Sequence, residues 1–144
     1  MRRILVSAVV LCSFANATPA GAEKSTDPCQ LVTRSEVQSV LGAPIASLME
    51  GPRSPDRPER ICNFRSQNGK MMNVYVGQKS KAKFEDEKKG HEAVSGIGDA
   101  AYGVPPGVVS FLKGSTNVLV QAMPANAVEF ERVKVLARAA AGRL

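Results

Sequence analysis

Tryptophan is absent from this 144-residue chain, histidine occurs once, and aromatic residues amount to 5%. Each shortage excludes something. With a single histidine, His91, a multi-histidine zinc site has too few members, and the remaining candidate ligands would be His91, Glu92 and Asp99. His91-Glu92 does not continue as the zinc-protease helix motif, because position 95 is serine. His91 reads instead as a surface residue after a lysine-rich helix. Sparse aromatics and the lack of any nucleic-acid motif argue against stacking on single strands or reading a duplex. No Gly-x-Ser-x-Gly elbow is present, so the usual serine nucleophile is missing too. The expectation is a protein without catalytic residues, cofactor or metal.

Long apolar runs are equally scarce. The longest, Ile4 to Phe14, is about half the roughly 20 residues that cross a bilayer. It follows Arg2-Arg3 and precedes Ala20-Gly21-Ala22, the order of basic, apolar and small residues that marks a secretory signal. Residues 1–22 are read as that signal, cleaved after Ala22, with Ala17 as a second site. Cys12 invites a lipid anchor, but Leu11 before it is too large for the lipoprotein peptidase. The expected location is periplasmic or secreted, with no transmembrane span in the mature protein.

Three cysteines therefore reduce to two, Cys29 and Cys62, and in an oxidising compartment they form one expected disulfide. Losing Arg2 and Arg3 takes the formal charge from +6 to +4. That mild excess suits solubility, or an acidic protein or envelope component as partner. About 120 residues remain, enough for one domain with its own core.

Residues 23–28 read as a flexible leader and 29–144 as a single α+β domain. Thr33 and Glu36 are spaced as a capping box, Val32 and Val37 as a hydrophobic staple, and Gly42 then Pro44 end this short N-terminal helix. Ile45 to Met49 is a candidate strand. Gly51 to Arg60 holds three prolines and three arginines, and it is expected to be an exposed loop. Arg53, Arg57 and Arg60 on that stiffened segment form the candidate contact loop, set against its plainer reading as a solvated loop.

Ile61–Ser66 and Met71–Gln78 form the clearest hairpin. A three-residue turn, Gln67-Asn68-Gly69, would set Phe64 opposite Met72 and Cys62 opposite Val74. That register puts Cys62, Phe64, Met72, Val74 and Val76 on one buried face. A middle helix is expected over 81–89, anchored by Phe84, with Glu85 and Lys89 as an i,i+4 pair. Val108–Lys113 and Asn117–Met123 make a second hairpin. Asn126 and Glu129 cap a last helix whose Phe130, Val133, Leu136, Ala137 and Ala140 face inward.

The fold class expected is α+β: an antiparallel sheet of about five or six strands, with the three helices packed on it, from a weak duplication of helix plus hairpin. Gly96-Ile97-Gly98-Asp99-Ala100-Ala101 imitates a dinucleotide fingerprint, but Gly103, Pro105 and Pro106 forbid the helix it needs. Gly96, Gly98 and Asp99 are read as a structural turn, the aspartate bonding to that turn's own amides.

Pro28-Cys29-x-Leu31-x-Thr33-x-x-Glu36-Val37, Leu41-Gly42, Cys62-x-Phe64 and Val94-x-Gly96-x-Gly98-Asp99-Ala100-Ala101-Tyr102 together resemble a family of small exported proteins of unknown function, abundant as lipoproteins in actinobacteria. The resemblance spans most of the mature chain. It implies a cell-envelope location, a Cys29 to Cys62 bridge and a compact domain similar to photosystem PsbP-like sandwiches, and it implies no reaction. The chain departs from these relatives in lacking a credible lipobox. The functional expectation is a non-catalytic envelope protein that binds a protein or envelope component through the arginine loop or a sheet face. A small-molecule carrier with a pocket around Phe64, Phe111 and Phe130 is the alternative, and an inhibitor or immunity protein is a variant of the first.

Overall fold

Short polar side chains set where the first elements begin. The Asp27 carboxylate accepts from the Cys29 N–H at 2.9 Å and opens a one-turn helix, α1 (Pro28–Leu31), with proline where no N–H is needed. Thr33 then caps α2 (Arg34–Leu41): its hydroxyl accepts from the Glu36 N–H at 3.2 Å, while the Glu36 carboxylate accepts from the Thr33 N–H at 2.7 Å. The expected capping box is present, and Gly42 ends the helix at φ +72°.

The computed structural model describes residues 26–51 and 59–144. The expected signal segment 1–22, Cys12, the leader up to residue 25, Arg53 and Arg57 lie outside the described residues. The last residues assigned to the leader do not: Asp27 and Pro28 belong to α1 and its cap.

The strands are β1 (Ile45–Glu50), β2 (Arg60–Ser66), β3 (Met71–Gln78), β4 (Glu92–Ala93), β5 (Ala100–Val104), β6 (Val108–Lys113) and β7 (Thr116–Met123). They form one antiparallel sheet in the order β1-β2-β3-β7-β6-β5-β4. Two meanders, β1 to β3 and β4 to β7, thus meet through β3 and β7. The sheet exceeds the expected five or six strands because the glycine-rich stretch after His91 supplies β4 and β5, β5 pairing with β6 and β4 with β5, rather than forming a loop.

The first hairpin has the expected register. Phe64 lies opposite Met72 and Cys62 opposite Val74. Gly69 stands at φ +81°, and Ser66 N–H donates to the Lys70 carbonyl at 2.9 Å to close the turn. One sheet face consequently carries Cys62, Phe64, Met72, Val74, Val76, Ala101, Val109, Phe111, Val118, Val120 and Ala122, all in one core cluster. Helix α4 (Ala127–Arg143) lies across this face with α1 and α2 beside it. Its inner residues are the predicted Phe130, Val133, Leu136, Ala137 and Ala140, all buried. Asn126 caps it, accepting from Val128 and Glu129 N–H groups at 2.8 and 3.2 Å.

Cys29 and Cys62 are bridged, with Cα atoms 5.2 Å apart, so α1 is fastened to β2 on the helix-covered face. Arg143 ties the other end, donating to the Leu31 carbonyl at 2.8 Å and to both oxygens of Glu36 at 3.0 and 2.7 Å.

The middle helix, α3 (Lys81–Lys88), packs on the opposite face through Phe84, which meets Tyr102 and Leu112 in a second small cluster. The duplication therefore holds for the strands but not for the helices that precede them. The expected Glu85–Lys89 pair is not made. Lys89 leaves the helix at ψ 128° and pairs with Asp86 at 2.7 Å, while Lys88 approaches Glu85 at 3.5 Å.

Candidate functional site

Strand alternation sends every second residue away from α4, and α3 covers that opposite face only at the β5–β6 end. Among the described residues no helix covers the remainder. Across it runs a row of directly opposed residues, Met49, Asn63, Asn73, Gln121 and Val108, contributed by β1, β2, β3, β7 and β6. The next row contains Ile61, Tyr75 and Leu119. Neighbouring strands lie about 4.8 Å apart, so the three amides span about 10 Å.

Among the described residues, the side chains of Asn63, Asn73 and Gln121 have no hydrogen-bond partner. Asn73 is the telling member: it is only 8% exposed, yet its amide atoms still touch solvent. An amide so nearly buried ordinarily finds a partner, because leaving one unmade costs about 1–3 kcal/mol. The neighbouring buried pair follows that rule, Ser110 donating to the Asn117 side-chain oxygen at 3.3 Å.

Beside these rows lies a depression of about 280 Å³ lined by Glu59, Tyr75, Gly77, Lys79, Asn117, Leu119 and Gln121. Gly77 makes room for it. A Cβ there would come within 2.9 Å of the Glu59 side chain. Lys79 closes one end, paired at 2.5 Å with Glu87 of α3. The face thus offers amide donors and acceptors, one phenol ring and a carboxylate on a rigid sheet.

The predicted contact residue Arg60 is held within the fold. Its guanidinium pairs with Glu50 at 3.1 Å and Asp27 at 3.3 Å, and these interactions, the Glu50 hydrogen bond first, raise its pKa above the ordinary arginine value. Gly96 and Gly98 take φ +73° and +57°, as a structural turn requires. Asp99, however, does not serve its own turn: its carboxylate accepts from the Gly114 N–H at 2.7 Å, capping the β6–β7 hairpin against which the turn lies. His91 is exposed and stacks on Tyr102, ring centroids 5.1 Å apart. Phe64, Phe111 and Phe130 are all members of the main core cluster and line none of the depressions described here. No group of three His, Cys, Asp or Glu side chains among the described residues is arranged to hold a metal ion.

A second concavity, about 410 Å³, separates α2 from α4 and is walled by Val40, Val135, Leu136 and Ala139 with Glu36, Ser39 and Arg132 at its rim. Val135 is 62% exposed there. The Glu36 carboxyl is held below the usual range, first by its hydrogen bond from Arg143 and against the opposing effect of burial.

No family model matches the chain, and no curated protein or solved structure matches it either. The likeness to the actinobacterial family accordingly rests on the motif residues alone.

Sequence reasoning passed over the amide row, although half of its signal was visible. Asn63, Asn73 and Gln121 each interrupt an apolar run at the outward position, and the hairpin register already sets Asn63 opposite Asn73. Gln121 joins them only through the pairing of β3 with β7, forty-odd residues apart, which no local pattern announces.

Proposed function

We propose that the chain is an exported, non-catalytic binding module that engages an envelope component or another protein through the uncovered sheet face. The observation that carries this reading is the row of unpartnered amides, above all the nearly buried one of Asn73. A rigid face with unspent hydrogen bonds loses little entropy on binding and gains partners for groups that otherwise have only water. Export is supported by the basic and apolar N-terminal segment with its small-residue cleavage site. The intramolecular disulfide is compatible with it, and no helix among the described residues is long and apolar enough to cross a membrane. The resemblance to small exported proteins points the same way. Arg60 supports the fold through Asp27 and Glu50, so the sheet face is preferred to the arginine loop as the contact surface.

A photo-crosslinking residue placed singly at positions 63, 121 and 135 tests the assignment in the native envelope. Adducts are expected from 63 and 121 and not from 135, which lies on α4. Adducts from 135 alone would move the binding surface to the helical side and end the proposal.

A further inference from the structure

We infer that the uncovered face recognises a neutral, polyhydroxylated ligand, a stretch of glycan chain, seated along Asn63, Asn73 and Gln121 with Tyr75 beside it. This deepens the binding-module reading and rests on it. The argument is one of matching groups. Each primary amide presents two donors and an acceptor side by side, and a sugar hydroxyl both gives and takes a hydrogen bond, so adjacent hydroxyls satisfy an amide completely. A phosphate, sulfate or carboxylate ligand only accepts at neutral pH, and would leave three amide oxygens unpaired. It would also want cations at the centre of the face.

None stands there. Charged groups stand beside it: Lys79 is neutralised by Glu87, Arg65, two residues from Asn63 on the same face, reaches across to the Met71 sulfur of β3 at 3.7 Å, and Glu59 adds a carboxylate that would repel an anion but accepts from a hydroxyl. A purely apolar surface fares no better, since burying three amides without partners costs more than Ile61 and Leu119 return. Tyr75 completes the match. Its half-buried ring, set in the row next to the amides, offers an apolar plate to the C–H face of a pyranose. The 10 Å amide span is on the scale of a short run of sugar rings rather than a single one.

Nitrogen-15 NMR titration of the protein with cellotetraose and with chitotetraose, both neutral, and with tetragalacturonate as the anionic comparator tests this. At least one neutral tetrasaccharide should shift the backbone amides of Asn63, Asn73, Tyr75, Leu119 and Gln121 with a Kd of about 1 mM or tighter. Asn63→Ala and Gln121→Ala, at half-buried positions that the fold does not depend on, should each weaken binding about fivefold with an unchanged melting temperature. Failure of both neutral sugars to move these resonances, or tighter binding of tetragalacturonate, overturns the inference. The photo-adducts at 63 and 121 separate the two levels: adducts that periodate oxidation degrades support a glycan, whereas adducts that only protease degrades leave the binding face standing and remove the glycan.

Discussion

Reducing the Cys29–Cys62 bridge is the most quantitative perturbation the fold allows. The bridge closes a separation of 33 residues between α1 and the middle of β2. In the chain-entropy treatment a loop of that size stabilises the native state by about 3–4 kcal/mol, through the freedom it denies the unfolded chain. A domain of about 120 residues unfolds with an entropy of about 250 cal/mol/K, so each kcal/mol corresponds to about 4 °C. Reduction should therefore lower the melting temperature by about 12–16 °C. The wild-type protein measured by differential scanning calorimetry with and without a phosphine reductant gives this directly, with no side chain changed. Cys29→Ala with Cys62→Ala should fall slightly further, because Cys62 is fully buried and its sulfur leaves a gap. Thiol labelling of the denatured mature protein, residues 23–144, should find no free cysteine before reduction and two after it. A drop below about 5 °C in fully reduced protein would refute the reasoning, since the contacts of α1 and α2 with α4 would then hold the segment without the bridge.

Two further perturbations test the fold at other points. Gly98→Ala should destabilise by about 3 kcal/mol in urea unfolding, because φ +57° is strained and the new Cβ would sit 2.5 Å from the Leu112 carbonyl oxygen, whereas Gly96→Ala, at φ +73° and meeting only the Arg138 Nε at 3.8 Å, should cost only about 1 kcal/mol; equal costs would disprove the close approach. Glu36 has its pKa depressed in the fold, chiefly by Arg143, so its contribution is present above the unfolded value of about 4.3 and is lost as pH falls through the lower folded value. Glu36→Gln should accordingly cost under about 1 kcal/mol at neutral pH and flatten the acid limb of the stability curve, and an unchanged limb in chemical unfolding at pH values below about 4 would count against the pairing.

The features legible in the sequence were those written locally. Thr33 with Glu36 and Asn126 with Glu129 announce helix starts because a cap is made within four residues. Gln67-Asn68-Gly69 fixes the hairpin register because only one alignment puts all the apolar side chains on one face. Helix α1 was missed because four residues leave no period to read, and β5 because Ala100, Ala101 and Gly103 carry little strand preference and gain their place from β6. Which side of the sheet α3 would take was not legible either. Phe84 needed an apolar partner, and Tyr102 and Leu112 supply it only once β5 and β6 are aligned. The candidate face inherits that limit. Its two hairpin residues could be placed from sequence, while Gln121 and the space over Gly77 depend on long-range pairing.

The meeting of the two meanders at β3 and β7 also sets the order in which the molecule can assemble. Each meander draws on neighbouring sequence, but the seam between them needs residues 116–123, and the lid over both halves is the helix that follows. A chain emerging from its N-terminus has no complete sheet to close until residues 116–123 have been made, and long-range pairing of this kind is intrinsically slow. If the chain is exported as proposed, it reaches a translocation channel still unfolded and acquires its sheet and its bridge on the far side.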